Sequence, residues 1–233
     1  QLHRTCNTEH QVHKQQKNFL LSVTHELKSP LASIKLYLQT ILKRNLDHER
    51  QQYFIQNSLK DVERLDDLVE NMLIATKIEN DSYSFPKEIF DLSDLIKKVV
   101  DRLQGHACHS QISMRGVEGN ISLAGDQFAL SSVVSNLIEN AIKYAPSCAE
   151  VRLKLYKSKG HVYFEVADQG VGIEDDEKSR IFDKFYRVGS EQTRKTKGTG
   201  LGLYIVKQVL DKHHAKITVK DNHPNGTIFE IIF

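Results

Sequence analysis

Five short stretches concentrate the residue types that do chemistry. In NLIENAIKY, Asn136, Asn140 and Lys143 recur at i, i+4 and i+7, so all three share one helix face, with Glu139 beside them. An amide oxygen suits a hard cation such as Mg2+ and a lysine suits a phosphate, although any solvated helix face can show the same spacing. In DQGVGI, residues 168–173, Gly170 and Gly172 permit close backbone approach. The Asp168 carboxylate, placed where a strand ends, can accept a hydrogen bond from an exocyclic amine; alone, this motif commonly marks only a turn. KGTGLGLYIV sets Gly198, Gly200 and Gly202 at the mouth of an apolar helix, where free peptide N–H groups and the positive helix end attract anions. RIFDKFYRV places Phe182 and Phe185 beside Arg180, Lys184 and Arg187. The loop that follows carries Arg194, Lys195 and Lys197, either as a basic lid or as a solvated surface loop. In FLLSVTHELKSPLASIKLYL an ionisable His25–Glu26 pair and Pro30 interrupt an otherwise helical apolar stripe.

The elements that must position these residues fall into two textures. From about residue 9 to 43, Val12, Phe19, Leu20, Val23, Leu27, Leu31, Ile34, Leu38, Ile41 and Leu42 form a stripe of threes and fours. A second stripe, Phe54, Leu59, Val62, Leu65, Val69, Met72, Leu73 and Ile78, follows a polar break at 43–49. Two long helices joined by a short loop make an antiparallel hairpin. One hairpin leaves apolar surface uncovered, and two hairpins cover it by pairing into a four-helix bundle, so a homodimer is expected. Residues 1–84 are assigned to this helical part and 85–233 to a second domain. There, strands are expected at KEIF, 111–114, 121–123, EVRLKLY, HVYFEVAD and twice at the C-terminus. Helices are expected from Ser93 as cap to about 104, over 126–144, over 201–213 and, as a short one, near 174–183. One layer of helices on a mixed, mainly hairpin-linked sheet is an α/β sandwich.

Composition narrows the classes further. At 233 residues, 39% hydrophobic and 27% charged, the chain has the make-up of an ordinary globular protein. A net charge of +2 is too small to argue for nucleic acid. Cys6, Cys108 and Cys148 are odd in number, far apart and form no CxxC pair, which argues against a disulfide frame or zinc site and fits a reducing compartment. No apolar run reaches membrane-spanning length and no signal-peptide pattern is present. The chain begins without Met in a helix-like stretch, as a piece of a longer protein would.

Taken in order and at these separations, four of the stretches resemble the N, G1, F and G2 boxes of sensor histidine kinases, and SVTHELKSPLASI resembles the family's H-box. The resemblance runs from about residue 19 to 233 and implies a dimeric phosphotransfer hairpin followed by a Bergerat-type ATP-binding domain, the ATPase fold shared with gyrase. It implies ATP and Mg2+ as cofactors, autophosphorylation of His25, and transfer to an aspartate of a response regulator receiver domain. Glu26 then matches the acidic partner that fixes the histidine tautomer. Asn140 matches the Mg2+ ligand, Asn136 stands one turn earlier, and Lys143 matches a phosphate-contacting lysine. Tyr144 matches a ring that packs on adenine, or is a core tyrosine at a helix end. Asp168 matches the reader of the adenine amine, with Gly170 and Gly172 as the G1 glycines, while Gly198, Gly200 and Gly202 flank and close the lid that Phe182 and Phe185 anchor. Arg187 is a candidate for neutralising transferred charge.

This chain departs from the family's pattern in two places. Where the family carries threonine or asparagine four residues after the histidine, it has Ser29, a hydroxyl of shorter reach; the resemblance implies kinase activity and leaves phosphatase activity to experiment. The glycine often found after the N box is absent, the chain reading KYAPSCAE. The resemblance implies, as the parent, a bacterial inner-membrane receptor with this portion in the cytoplasm, touching the membrane only through segments outside this chain. Other classes compatible with parts of the pattern are a degenerate scaffold that sequesters its partner, and a serine kinase or ATPase using the same nucleotide-binding fold.

Overall fold

A computed structural model describes residues 2–80, 84–104, 111–146, 149–188 and 199–233, with side-chain burial from residue 20 onward apart from residue 22. Gly198, the lid cations Arg194, Lys195 and Lys197, and Cys108 and Cys148 lie outside the described residues, as does the side chain of Cys6. The chain divides into two compact units, Gln1–Leu73 with Phe185–Leu201, and Ile74–Lys184 with Gly202–Phe233.

The first unit is built on α1 (Leu2–Lys43) and most of α2 (His48–Glu79). The Asp47 carboxylate accepts from the Arg50 N–H at 2.8 Å and starts α2. Tyr37 stacks on Phe54 with centroids 5.6 Å apart, and Arg64 reaches Glu26 at 3.4 Å. Both pairs join residues about equally far from the loop, as antiparallel helices require. Pro30 lies inside α1 and is buried; lacking an N–H, it leaves the Glu26 carbonyl without its usual helical donor. Leu31, Leu36, Leu38, Leu42, Leu59, Val62, Val69 and Leu73 remain exposed along the two helices.

The second unit is the α/β sandwich. Its five-stranded sheet has the order β2-β4-β5-β7-β6, where β2 is Gln111–Val117, β4 Glu150–Ser158, β5 His161–Ala167, β6 Lys216–Asp221 and β7 Thr227–Ile232. Only the β2–β4 pair is parallel, so the sheet is mixed as the hairpin-linked strands require. A separate antiparallel ribbon joins β1 (Glu88–Asp91) to β3 (Ser122–Gly125). Strand alternation sets the buried face: Val151, Leu153 and Leu155 point into the core, while Arg152 and Lys154 are exposed. The helix layer consists of α3 (Leu92–Gln104) on β2, α4 (Gln127–Tyr144) on β4 and β5, and α5 (Gly202–Lys212) on β6. Each contributes a stripe at helical spacing, such as Leu130, Val133, Val134, Leu137, Ile138 and Ala141 of α4. Each large apolar side chain removed from water there contributes roughly 1.5–3 kcal/mol.

Two local expectations are corrected. Ser93 does not cap α3: the Asp91 carboxylate does, accepting from the Ser93 and Asp94 N–H groups at 2.7 and 3.3 Å. The Ser93 hydroxyl is instead buried, donating to the Glu118 carbonyl and accepting from the Ile121 N–H. The helix expected near 174–183 is a series of turns ending in one 3-10 turn at Arg180–Phe182, because its polar residues offer only Ile181 to the core.

Candidate functional site

The central helix of the sandwich is fixed at its start by two interlocked caps. The Asp126 carboxylate accepts from the Ala129 N–H at 3.0 Å, and the Asp126 N–H donates to His213 Nε2 at 2.9 Å. Since Nε2 accepts, the ring proton sits on Nδ1 and donates to the Val209 carbonyl at 2.7 Å. His213 thereby ties the end of α5 to the beginning of α4.

Two glycines then bring the phosphate-type and purine-type motifs against α4. A Cβ on Gly202 would stand 2.5 Å from Asn136 Oδ1, so the first turn of α5 is pressed on the Asn136 face. A Cβ on Gly170 would meet the Tyr144 carbonyl at 2.7 Å and Asp168 Oδ1 at 2.9 Å, so the loop after β5 abuts the end of α4. Asn140 lies between them, one helical turn, about 6 Å, from each anchor point. Its side chain makes no hydrogen bond among the described residues and is half-buried. Asn136 is buried and donates through Nδ2 to the Ser132 carbonyl and hydroxyl at 2.9 and 3.1 Å, which sets its amide oxygen toward Gly202. Lys143 is half-buried, with Nζ 5.3 Å from the Tyr144 ring centroid, and Tyr144 is exposed. Glu139 accepts from the Ser135 hydroxyl at 2.7 Å, which in turn accepts from Arg102 at 3.0 Å.

Asp168 stands one residue past β5 and is 5% exposed. Its Oδ1 accepts from the Gly170 and Thr227 N–H groups at 2.7 and 3.2 Å, while Oδ2 accepts from none among the described residues. Burial pushes the carboxyl above the usual carboxylate range, and the two peptide donors hold it back. The result is an acceptor of fixed orientation with one oxygen unspent. Gly172 is left-handed at φ 78°, and a Cβ there would meet the Gly226 carbonyl at an ordinary contact distance of 3.7 Å, so its glycine is required by the backbone rather than by crowding.

In the first unit His25 is exposed on α1. Glu26 beside it is 14% exposed at its side chain and bridges to Arg64. Ser29 is exposed and its carbonyl accepts from the Ser33 hydroxyl at 3.3 Å. The segment containing Arg187 and Gly200 is pinned at its ends, the Phe185 N–H donating to the Gly200 carbonyl at 3.0 Å. Gly200 is left-handed at φ 73° against the Phe185 backbone, where a Cβ would fall at 2.8 Å. Phe182 and Arg187 are half-buried.

Sequence reasoning missed Arg64, His213, and the group Asn222, Gly226 and Thr227 that grips Asp168. The NGT triplet before the last strand was the available signal for that group, since an Asn-Gly turn fixes where the following strand pairs. Arg64 and His213 carry no local signal at all.

Hairpin and sandwich together define a two-part protein with a solvent-facing histidine and a nucleotide-binding fold. Two family models match the chain: the His Kinase A (phospho-acceptor) domain over residues 15–81, and the histidine kinase-, DNA gyrase B- and HSP90-like ATPase over residues 125–233. Curated relatives include the sensor protein KdpD of Clostridium acetobutylicum, 33% identical over 91% of this chain and 24% of that protein. The sensor histidine kinase RppB of Synechocystis sp. is 32% identical over 95% of this chain and 50% of that protein. Among solved structures, the mycobacterial sensor histidine kinase MprB matches at TM-score 0.56 and 30% identity, over 63% of this chain and 96% of that one. The Acinetobacter baumannii histidine kinase AdeS shares the fold at TM-score 0.59 and 22% identity, over 90% of this chain and 96% of that one. The chain belongs to the sensor histidine kinase family, as its catalytic core. It spans only a quarter to a half of the two curated relatives' length. Among the described residues no helix is long and apolar enough to cross a membrane.

Proposed function

We propose that this chain uses ATP to phosphorylate His25 and passes the phosphoryl group to an aspartate of a response regulator receiver domain. The observation that carries the reading is the exposure of His25 within the HExxxP pattern on the first helix of a phospho-acceptor hairpin. A neutral imidazole is a competent nucleophile near neutral pH. Its unprotonated nitrogen attacks the γ-phosphorus, the bond to the bridging oxygen breaks, and ADP leaves with the electron pair. Glu26 accepts the hydrogen bond of the other ring N–H, fixes the tautomer, and stabilises the positive charge that forms on the ring. In this structure Arg64 engages the Glu26 carboxylate, so the two basic groups share one acid.

The nucleotide is held in the sandwich. Asp168 accepts from the adenine amine through Oδ2, Gly170 and Gly172 let the purine lie against backbone, and Tyr144 offers its exposed ring to the base. The resemblance assigns Lys143 and Arg187 to phosphate charge, and Gly198, Gly200 and Gly202 to the lid whose peptide N–H groups serve it. The unpartnered Asn140 amide fits a hard cation: Asn140 would hold Mg2+ through its oxygen, and the ion would neutralise phosphate charge. Asn136 supports this arrangement by setting the spacing between α4 and α5.

Residues 1–84 form the dimerisation and phosphotransfer part, and 85–233 the catalytic part. The exposed leucines and valines of α1 and α2 pair with those of a second copy in a four-helix bundle. The parent protein is a bacterial inner-membrane receptor, with this portion in the cytoplasm. Adding a purified receiver domain to labelled protein tests the reading: label moves to the receiver as an acyl phosphate and leaves His25. Label that stays on the kinase with every receiver offered contradicts it. Dephosphorylation of a phosphorylated receiver, compared between the wild type and Ser29→Thr, reports whether serine suffices for phosphatase activity.

A further inference from the structure

Asp168 is the first residue beyond the ladder of β5. Three of the four hydrogen bonds that fix it come from a single piece of chain, the turn and strand start at 222–227. The Asn222 side-chain amide donates to the Asp168 carbonyl at 2.6 Å, the Thr227 N–H donates to Oδ1, and the Asp168 N–H donates to the Thr227 carbonyl at 2.9 Å. Asn222 also closes its own turn, its N–H donating to the Gly226 carbonyl at 3.0 Å. Gly226, at φ 121°, lies so close that a Cβ would overlap the Asp168 carbonyl. Asn222 is itself 8% exposed. A donor so buried and so short is spent entirely on one peptide oxygen.

We infer that Asn222 is a positioning residue for purine recognition, holding the Asp168 peptide so that the carboxylate faces the 6-amino group of the base. The inference rests on the proposed reading of Asp168. Removing the amide leaves a buried carbonyl without its donor, and the peptide must rotate toward other donors or water to recover one. Rotation turns Oδ2 away from the base. The cost falls on nucleotides that bear an amine at position 6 and spares those that bear a carbonyl there, because a site built to accept an N–H discriminates through that bond.

The test compares binding of ATP and ITP, which differ in the 6-substituent, to the full chain. The wild type should prefer ATP. In Asn222→Ala and in Asn222→Asp, which keeps the shape and loses the donor, ATP affinity should fall about tenfold, the equivalent of roughly 1.4 kcal/mol, with ITP affinity unchanged. Asn222→Ser, which retains a short donor, should recover part of the preference and serves if the alanine variant does not fold; circular dichroism reports folding in each case. On an Asp168→Asn background, Asn222→Ala should change the ATP/ITP ratio no further. A wild type that binds ATP and ITP equally overturns the reading of Asp168. A wild type that prefers ATP, with folded Asn222 variants that keep its ratio, overturns the role of Asn222 alone.

Discussion

Single side chains in this protein carry opposed duties, and Asp168 shows the conflict most plainly. Burial lifts its carboxyl above the ordinary value of 3.8, so ionising it costs more in the folded chain than in the unfolded one. The stability this contributes is complete below the ordinary value and is lost as pH rises through the raised one. At pH 7 the ionised carboxylate therefore weakens the nucleotide-free protein. Asp168→Asn keeps an acceptor for the Gly170 and Thr227 donors and removes the charge. It should raise the melting temperature without nucleotide by about 2–4 °C at pH 7, the shift that 1 kcal/mol gives a chain of this length, while the ATP preference disappears. A lower melting temperature in differential scanning calorimetry would contradict this. Asn140 tests the other end of the nucleotide: Asn140→Ala should leave the melting temperature within a degree or so, since its side chain makes no hydrogen bond among the described residues. Labelling from ATP should be abolished, and undiminished labelling removes Asn140 from the metal site.

At the scale of elements, α4 is the frame on which the loops are hung. Gly202→Ala forces a Cβ to within 2.5 Å of Asn136 Oδ1 and must push α5 from α4, at a cost of roughly 1–3 kcal/mol. Urea unfolding should show a lower midpoint with an unchanged slope. His213→Ala deletes the bond to the start of α4 and the ring's bond to the Val209 carbonyl of α5, and should lower the midpoint by a comparable amount, roughly 1–2 kcal/mol. These couplings also show what the sequence could and could not reveal. The hairpin, the alternating strands and the α4 register were legible because each depends on spacing within one segment, as with Val151, Leu153 and Leu155. The Asp91 cap was misassigned to Ser93 because both are good capping residues two positions apart, and only the Glu118 and Ile121 backbone groups show which one is spent elsewhere. The grip of Asn222 on Asp168 joins residues 54 apart, and the His213 bond joins residues 87 apart. Nothing in either local pattern encodes such a meeting. The left-handed Gly172 and Gly200, by contrast, stood out as glycines in motifs, although crowding explains only the second.

For the molecule as a whole, the exposed apolar surface of the hairpin sets the expected assembly. Leu38 and Leu59 are about half exposed, at 49% and 57%, on helices that bury little against each other. Their replacement together by aspartate should convert a dimer into a species of 26.7 kDa by light scattering, with a less helical hairpin. A wild type that is already monomeric at micromolar concentration contradicts the bundle.

The central claim is that one solvent-facing imidazole receives the γ-phosphoryl group of ATP. Incubation with γ-labelled ATP and Mg2+, followed by acid and base treatment of the denatured chain, examines it most directly. The account predicts label that is lost in acid, survives base, and is absent from a folded, nucleotide-binding His25→Gln variant. Label that resists acid, or that persists in the variant, contradicts it.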